Sequence, residues 1–315
     1  MIKICRYDES FSREAKELFG TLFEETVKHA DVLKETISVA AENGHLVGIC
    51  FLTVTSSYKY ADREHPGYLN MDFEAVHGEN EVEISAMLID ALINDYRKIC
   101  RSEKNKRIIL RTFCSASSAD YMNYLVSFGF RAEHYMHRMR KDLSETMEIP
   151  GNGDFDFTVR AKNGKELKVC VEAVRAEGDT DIKGLDGYFE ANGRAFGIPD
   201  SENEREYRLR EQNGVQFIAR IDGRVAAAVS VWENNPGSVS TENIFCIEEY
   251  RRLGVTENLL RGVCGYLAAR GYREATLFVY GVNTYAVELY TKLGYMIYGG
   301  TLHMHYEDDY VPALV

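Results

Sequence analysis

The chain has 315 residues, of which 45% are hydrophobic, and its formal net charge is -12. This length favours two domains, and the hydrophobic content excludes a disordered chain. Because nucleic-acid binding needs a basic surface that neutralises phosphates, the acidic balance argues against a nucleic-acid partner. It is compatible with a cationic acceptor such as an amine, although acidity alone also keeps a protein dispersed.

The cysteines and the N-terminus indicate a reducing compartment. The seven cysteines are an odd number, and none has CxxC or zinc-like spacing. The segment Met1–Tyr7 contains no apolar signal sequence. No stretch approaches the roughly 18 consecutive apolar residues of a membrane span. The sequence therefore predicts a cytoplasmic protein without a membrane segment.

The first half contains alternating strand and helix patterns. A hairpin is predicted at Asn43-Gly44, since a type I′ turn needs positive φ at both central positions. A strand at Phe73–Val76, a long amphipathic helix with Met87, Leu88, Ala91, Leu92 and Tyr96, and a strand at Arg107–Leu110 follow. A shorter helix is predicted to end at Gly129.

The second half repeats this order after a turn-rich segment at Pro150–Asp154. Its predicted hairpin turns at Asp222-Gly223, its long helix carries Leu259, Leu260, Val263 and Leu267, and its last helix ends at Gly294. We interpret this as an internal duplication. It predicts an α/β (α+β) fold with domains at 1–145 and 155–315 joined by a linker at 146–154. In the segment 165–215, Leu167, Val169 and Val171 fit a strand, whereas Leu167, Val171 and Val174 fit a helix.

The stretch Arg251–Thr256 has the pattern of an anion-binding loop. The apolar run Ile244–Ile247 precedes it, and the long helix of the second half follows it. A strand, a glycine-bearing loop and a helix start aim several backbone N–H groups at one point, where a pyrophosphate binds. Gly254 has no Cβ and lets the backbone approach a phosphate, while Arg251 and Arg252 add positive charge.

Two blocks make the second half resemble the GNAT acetyltransferase superfamily. The first is Arg/Gln-x-x-Gly-x-Gly/Ala, matched here by Arg251, Gly254 and Thr256. The second is Asn-x-x-Ala-x-x-x-Tyr-x-x-x-Gly, matched by Asn283, Ala286, Tyr290 and Gly294. The match covers about residues 215–300, and a weaker resemblance covers most of residues 1–145. The resemblance implies two tandem GNAT-like domains, each a central mixed sheet flanked by helices, with a degenerate first domain.

The resemblance also implies acetyl-CoA as co-substrate and a set of residues that bind it. These cofactor-binding residues are Phe245, Cys246, Arg251, Arg252, Leu253, Gly254, Val255, Thr256 and Asn283. A backbone N–H near Cys246 would stabilise the oxyanion. Thr256 departs from the usual Gly or Ala, so it either crowds the pyrophosphate or serves as the helix N-cap. Asn283 is itself an N-cap candidate, and both of its roles are compatible.

The catalytic candidates are Tyr290 and Glu242. The resemblance assigns Tyr290 as the general acid for the CoA thiolate, since a phenol has an ordinary pKa near ~10 and a thiol near ~8.5. The alternative is a tyrosine of the core. Strand alternation predicts that Ser240, Glu242, Ile244 and Cys246 share a face, so that Glu242 takes the amine proton directly or through a water. A solvated carboxylate at the strand end explains Glu242 equally well.

Other residues indicate no further chemistry. His303 and His305 share a strand face but lack a third ligand, so no metal is expected. In the first half, Glu79, Glu81 and Glu83 stand where phosphates would bind, and Leu125 replaces the tyrosine while Ser118 replaces the asparagine. The first half is therefore predicted to have lost CoA binding.

The leading hypothesis is an acetyl-CoA-dependent N-acetyltransferase with one active site in the second half. Its acceptor would be a small-molecule or peptide amine, which the family usually binds at a segment that here spans residues 179–207. Asp181, Asp186, Tyr188 and Glu190 are the candidates for receiving a cation there. The alternatives are a catalytically silent CoA-binding or regulatory module and, less favoured by the charge, an aminoacyl-tRNA-dependent transferase. The sequence leaves a homodimer open.

Overall fold

The computed structural model describes residues 1–28, 31–175, 184–197, 209 and 214–308. It confirms the predicted α/β class, with mixed sheets flanked by helices. The chain divides into two compact units, which interleave along the sequence. The first unit contains Met1–Cys114, Ser118–Glu133 and the chain from Leu302, and the second contains Ser115–Ser117 and His134–Thr301.

The first unit has a sheet in the order β1-β2-β3-β4-β5, with the end of β13 beside β5. Its pairs are antiparallel except for the parallel pair β4–β5. Helix α2 covers this sheet with a row of buried side chains that includes Leu88 and Leu92. The elements are β1 (Ile2–Arg6), α1 (Ser12–Lys28), β2 (Ser38–Glu42), β3 (His45–Val54), β4 (Gly67–Ala75), α2 (Glu81–Ser102), β5 (Ile108–Ser115), α3 (Ala119–Ser127) and the start of β6 (Arg131–Asp142).

The second unit has a sheet in the order β6-β12-β11-β10-β9-β8-β7, in which β11 and β12 are parallel. The predicted linker 146–154 lies within this unit, where the N–H of Ile149 donates to the carbonyl oxygen of Gly265 at 2.9 Å. The further elements are β7 (Phe155–Arg160), β8 (Glu166–Val174), α4 (Tyr188–Phe196), β9 (Val215–Ile221), β10 (Arg224–Asn235), β11 (Ser238–Cys246), α5 (Val255–Ala269), β12 (Glu274–Tyr280), α6 (Thr284–Lys292) and β13 (Met296–Tyr306).

The hairpin turns predicted from the local sequence form in both units. Asn43 and Gly44 have φ values of 53° and 87°, and Asp222 and Gly223 have 48° and 75°, so both hairpins turn as predicted. The ambiguous segment from Leu167 forms strand β8, which pairs with β7 and β9. No helix among the described residues is long and apolar enough to cross a membrane.

The second unit has one apolar core on each face of its sheet. On the face that we call the α5 face, Leu259 and Val263 pack with Leu277 and Val279. On the opposite face, the α4 face, Tyr188 and Ala191 pack with the side chains of the central strands.

Candidate functional site

Strands β11 and β12 diverge and leave a cleft between them. They pair only over Ser238–Ser240 and Glu274–Thr276, although β11 continues to Cys246 and β12 to Tyr280. A strand that loses its neighbour has backbone N–H and C=O groups free for another partner. The β11–β12 cleft is therefore a place where an extended ligand can take the position of a strand.

A β-bulge in β11 changes which residues face each side of the sheet. Ala228 pairs with Phe245 and Ser230 pairs with Glu242, so β11 has one residue more than β10 in this stretch. Asn243 has a φ of 47°, a left-handed conformation that asparagine tolerates better than most residues. The extra residue reverses the alternation of side chains beyond it.

The predicted shared face of Ser240, Glu242, Ile244 and Cys246 is wrong for this reason. Ile244 and Cys246 pack against the α5-face core, whereas Phe245 lies in the α4-face core. Ser240 and Glu242 lie on the α4 face, since the alternating residue Val239 belongs to the α5-face core. Glu242 and Cys246 thus project from opposite faces of one strand.

The backbone of Cys246 points into the β11–β12 cleft. The N–H of Ile247 donates to the carbonyl oxygen of Ala226 in β10 at 2.9 Å, so the preceding residue faces away from β10. The carbonyl oxygen of Cys246 instead accepts a 3.1 Å hydrogen bond from Nε of Arg251. Cys246 therefore offers its N–H to the cleft, while Phe245 contributes an apolar side chain to the α4-face core.

The loop after β11 presents consecutive N–H groups at the start of α5. Arg252 and Gly254 have φ values of 64° and 82°, and Gly254 is the N-cap of α5. The first N–H bonded to this cap belongs to Asn258, at 3.1 Å from the carbonyl oxygen of Gly254. The N–H groups from Arg252 to Glu257 donate to no described residue. Such a concave run of N–H groups at a helix N-terminus binds anions.

The charge of the loop remains positive although an acidic residue lies in the first turn of α5. Glu257 accepts hydrogen bonds from Lys292 at 2.7 Å and from Arg261 at 3.1 Å. These two cations hold the pKa of the Glu257 carboxyl below its usual range and neutralise its charge. Arg252 is exposed, so its guanidinium can approach a phosphate.

Thr256 is the second residue of α5 and not its N-cap, which corrects that alternative. Its hydroxyl lies beside the thiol of Cys246. Burial raises the pKa of this thiol, while the hydrogen bond with Thr256 and the charge of Arg251 act in the lowering direction. The side chain of Thr256 therefore points towards the end of β11.

Asn283 and Tyr290 lie at the two ends of α6. The side-chain oxygen of Asn283 accepts a 3.3 Å hydrogen bond from the N–H of Ala286, so Asn283 is the N-cap. Its amide NH2 group donates to no described residue. Tyr290 is 6% exposed, and burial raises its pKa well above the ordinary value. Its hydroxyl makes no hydrogen bond with a described residue. The hydroxyl can therefore donate a hydrogen bond to a bound ligand.

Glu242 lies in a polar row on the α4 face. Its Oε1 atom accepts a 2.8 Å hydrogen bond from the hydroxyl of Ser240. Its cross-strand partner Ser230 is buried and donates to Oε1 of Gln216 at 2.7 Å. The carboxylate is half-buried, and it is held on the face opposite to Cys246.

The acceptor candidates near α4 have different surroundings. Asp181 lies outside the described residues. Tyr188 is fully buried, so its hydroxyl is not available to an acceptor. The carbonyl oxygen of Asp186 accepts a hydrogen bond from Arg220, while Glu190 is exposed in the first turn of α4.

The corresponding part of the first unit differs from the second in its loop. None of the described residues between β4 and α2 has a positive φ, and α2 begins at Glu81, whose carboxylate lies 3.0 Å from the imidazole of His77. Strands β4 and β5 also diverge after Asn70 and Arg111. No described residue of the loop between β4 and α2 has the left-handed conformation that makes backbone N–H groups converge on one point.

The helix of the first unit differs as well. Tyr121 occupies the position that Ala286 has in the second unit, four residues before Leu125. Its ring lies 6.1 Å from that of Phe73 in β4. Burial raises the pKa of Tyr121 to about 12, while a hydrogen bond with Thr112 in β5 acts against this. Tyr121 therefore connects the two diverging strands, and Leu125 is fully buried.

A cavity of about 390 Å³ lies at the other end of α5, beside Tyr266, Leu267 and Arg270. It is about 20 Å from the loop, given the 1.5 Å rise per residue of a helix, so it does not belong to the cleft. Among the described residues, no group of three or more His, Cys, Asp or Glu side chains is arranged to hold a metal ion.

The sequence comparisons identify a family over the part of the chain that contains this site. Residues 185–295 match the model of the Acetyltransferase (GNAT) family. A search of curated proteins gave no significant match. The matched range includes α4, the β11–β12 cleft, the loop and α6.

Solved structures resemble the fold over almost the whole chain. A GCN5-related N-acetyltransferase from Sphaerobacter thermophilus has a TM-score of 0.64 at 16% identity, covering 97% of this chain and 95% of its own. A tandem GNAT protein from the clavulanic acid biosynthesis pathway has a TM-score of 0.57 at 12% identity, covering 98% of each chain. A GNAT-family acetyltransferase from Colwellia psychrerythraea has a TM-score of 0.54 at 10% identity, covering 98% of this chain and 100% of its own.

At these identities the structural likeness shows the fold, and the family match adds the class of chemistry. The diverging strands, the bulge and the glycine loop all lie within the matched residues. Residues 185–295 therefore match the GNAT acetyltransferase family, and this match together with the fold supports an acyltransferase.

Proposed function

We propose that the protein transfers an acetyl group from acetyl-CoA to a primary amine, with one active site in the C-terminal half. The main support is the run of N–H groups from Arg252 to Glu257, which donate to no described residue and lie next to the β11–β12 cleft. This run fits a pyrophosphate, and the cleft fits the extended arm of CoA. Acetyl-CoA supplies the thioester whose carbonyl the amine attacks.

The cofactor and the amine would reach the site from different sides of the sheet. The loop and Thr256 lie at the N-terminal end of α5, while Glu242 is held on the α4 face. We infer that the amine enters from the α4 face, where Glu242 accepts its proton directly or through a water. The N–H of Cys246, which points into the cleft, would stabilise negative charge on the carbonyl oxygen.

Tyr290 would assist the departing thiolate from the other side. Its phenol is protonated at neutral pH, and burial raises its pKa further because the charged form is disfavoured away from water. With a raised pKa, Tyr290 acts mainly as a hydrogen-bond donor to the thiolate. The proton released by the amine then completes formation of the thiol.

Calorimetric titration with acetyl-CoA, followed by a panel of amines, tests the proposal. We expect a single cofactor site per chain and acetylation of at least one primary amine. Failure to bind acetyl-CoA at millimolar concentration would refute it. An arrangement of two equivalent sites would contradict the assignment to the C-terminal half.

A CoA-binding module without turnover is the second candidate, and Thr256 is the observation that favours it. Its β-branched side chain stands at the second position of α5, where the family usually has Gly or Ala. This candidate predicts that CoA binds while no amine is acetylated, and that Tyr290→Phe changes nothing measurable. An aminoacyl-tRNA-dependent transferase is disfavoured by the net charge of -12. Retention of tRNA on a filter at low salt would revive it.

A further inference from the structure

Among the residues that the structure describes, none is a counter-ion for the guanidinium group of Arg138 in β6. Arg138 is the antiparallel partner of Phe278 in β12. Its guanidinium carbon lies 5.6 Å from the ring centroid of Phe278 and 5.1 Å from that of Tyr298. Among the described residues it forms no ion pair or hydrogen bond, and its buried Nε atom has no partner. A stacked guanidinium of this kind keeps its N–H edge free for a carboxylate or phosphate.

The neighbouring cation, Arg140, has a carboxylate close to it. Arg140 lies 3.9 Å from the carboxylate of Glu274, although it also stacks on Tyr298. Arg138 is therefore the cation of this patch whose charge no described residue balances. A cation in this position can pair with an anion from outside the chain.

Arg138 and Glu242 lie on the same face of the second unit's sheet. Leu277 and Val279 of β12 pack in the α5-face core, so Phe278 and its partner Arg138 face the α4 side. Phe278 and Tyr298 are 43% and 40% exposed. Helix α4 packs mainly on β10 and β11, so the described helices leave this surface open.

We propose that Arg138 binds an anionic group on the acceptor while the acceptor's amine faces Glu242, so that the substrate class is an elongated amino carboxylate. This inference rests on the proposed acetyl transfer. Arg138 is on β6, and β12 lies between it and the diverging β11. Paired strands lie about 4.8 Å apart and β11 diverges from β12 here, so the amine and the anionic group would be at least about 10 Å from each other.

Pairs of acceptors that differ only in the carboxylate test the inference. The probes are ω-amino acids of increasing chain length, each compared with the alkylamine of equal length. We expect kcat/KM to favour the longer amino acids over their alkylamines by about ten-fold or more, since hydrogen bonds between charged groups are stronger than neutral ones. The preference should appear in KM and should increase with chain length.

Three variants assign the preference to this residue. Arg138→Gln should abolish it and leave kcat/KM for the alkylamines and the affinity for acetyl-CoA unchanged. Arg138→Lys should restore it in part, because it keeps the charge but loses the planar fork. Arg140→Gln is the matched control and should keep it. Unchanged acetyl-CoA affinity shows that each variant is folded.

The outcomes separate the two proposals. Acetylation without any preference for the carboxylate, or a preference that survives Arg138→Gln, would overturn the inference and leave the proposed function intact. If acetyl-CoA binds and no amine is acetylated, the proposed function fails. Calorimetry with the longest ω-amino acid then decides the inference, which stands only if wild type binds it and Arg138→Gln does not.

Discussion

The Nε atom of Arg251 donates a 3.1 Å hydrogen bond to the carbonyl oxygen of Cys246. This bond fastens the glycine loop to the end of β11, whose backbone faces the cleft. Arg251 therefore acts as a brace between the two parts of the proposed site. The exposed Arg252 is the cation that remains free to approach a phosphate.

The first prediction concerns Gly254, whose φ of 82° caps α5. We expect Gly254→Val to raise the KM for acetyl-CoA by about ten-fold or more. A residue with a Cβ costs roughly 1–2 kcal/mol in this conformation, so the loop shifts and its N–H groups no longer converge. Steady-state kinetics at saturating amine and calorimetry with acetyl-CoA measure the effect.

The matched control is Gly78→Val in the corresponding loop of the first unit. Gly78 does not have a positive φ, and an added Cβ would meet nothing within 4 Å. We expect this variant to bind acetyl-CoA as the wild type does. Equal losses of affinity in both variants would contradict a single cofactor site in the C-terminal half.

Much of this loop could be predicted from the sequence because its signals are local. The apolar run before Arg251, the glycine and the helical periodicity after it are neighbours in the chain. The bulge at Asn243 escaped prediction because the residues opposite it lie in another strand, β10. An asparagine inside a strand was the one available hint, since it tolerates the left-handed conformation. Unbroken strand alternation, which the sequence analysis assumes, places Glu242 and Cys246 on the same face.

The second prediction concerns the hydroxyl of Tyr290. We expect Tyr290→Phe to lower kcat by about 10²-fold, the usual cost of losing one hydrogen-bond donor to a charge that develops in the transition state. The KM for acetyl-CoA should be unchanged, because the buried ring keeps its packing. Rates with an activated thioester whose leaving thiol has a lower pKa should recover, since such a thiolate needs less assistance.

The control for this variant is Tyr295→Phe, a buried tyrosine of the same core. Its hydroxyl lies 3.5 Å from that of Thr241 and 3.8 Å from the sulfur of Cys264. We expect a loss of stability in thermal unfolding and little change in kcat. If Tyr290→Phe lowers only the melting temperature, Tyr290 is a tyrosine of the core and does not donate to the departing thiolate.

The third prediction concerns Thr256. Its side chain lies against the thiol of Cys246, so Thr256→Ala opens space at the second position of α5 and also raises helix propensity. We expect tighter binding of acetyl-CoA by a few fold, with a stability equal to or above that of the wild type. Weaker binding would show instead that the hydroxyl contributes to the cofactor site.

The differences between the first unit and the proposed site were predictable only in part. The acidic residues Glu79 and Glu83 and the buried Leu125 were visible in the sequence, since the two halves align by their glycines. The contact of Tyr121 with Phe73 was not, because it joins a helix to a strand that lies far away in the chain. This contact matters because β4 and β5 diverge beside it. No pattern among neighbouring residues of the sequence predicts that divergence.

The fourth prediction concerns the ion pair that joins β1 to α2 in the first unit. Both guanidinium nitrogens of Arg6 bond to the carboxylate of Asp95, at 2.6 and 2.5 Å, and Lys98 adds a third bond at 2.8 Å. Asp95 is 4% exposed. Asp95→Ala removes these charge-assisted bonds but leaves Arg6 half-exposed, so it should lower the free energy of unfolding by about 2 kcal/mol. Urea denaturation near neutral pH measures this loss.

The same pair makes the first unit sensitive to acid. Burial acts to raise the pKa of the Asp95 carboxyl, but the bonds from Arg6 and Lys98 outweigh it and leave the pKa lowered. A lowered folded-state pKa means that the stabilisation is complete above the unfolded value near ~3.9 and is lost as pH falls through the folded value. The difference between wild type and Asp95→Ala should therefore shrink in acid.

An exposed ion pair of the same unit provides the control for this prediction. Arg13 and Glu17 lie four residues apart on α1, with Nε and Oε1 2.9 Å apart and both side chains exposed. Because water and salt screen such a pair, Glu17→Ala should leave the free energy of unfolding almost unchanged. If Asp95→Ala were equally mild near neutral pH, the Arg6–Asp95 pair would not be what holds β1 to α2.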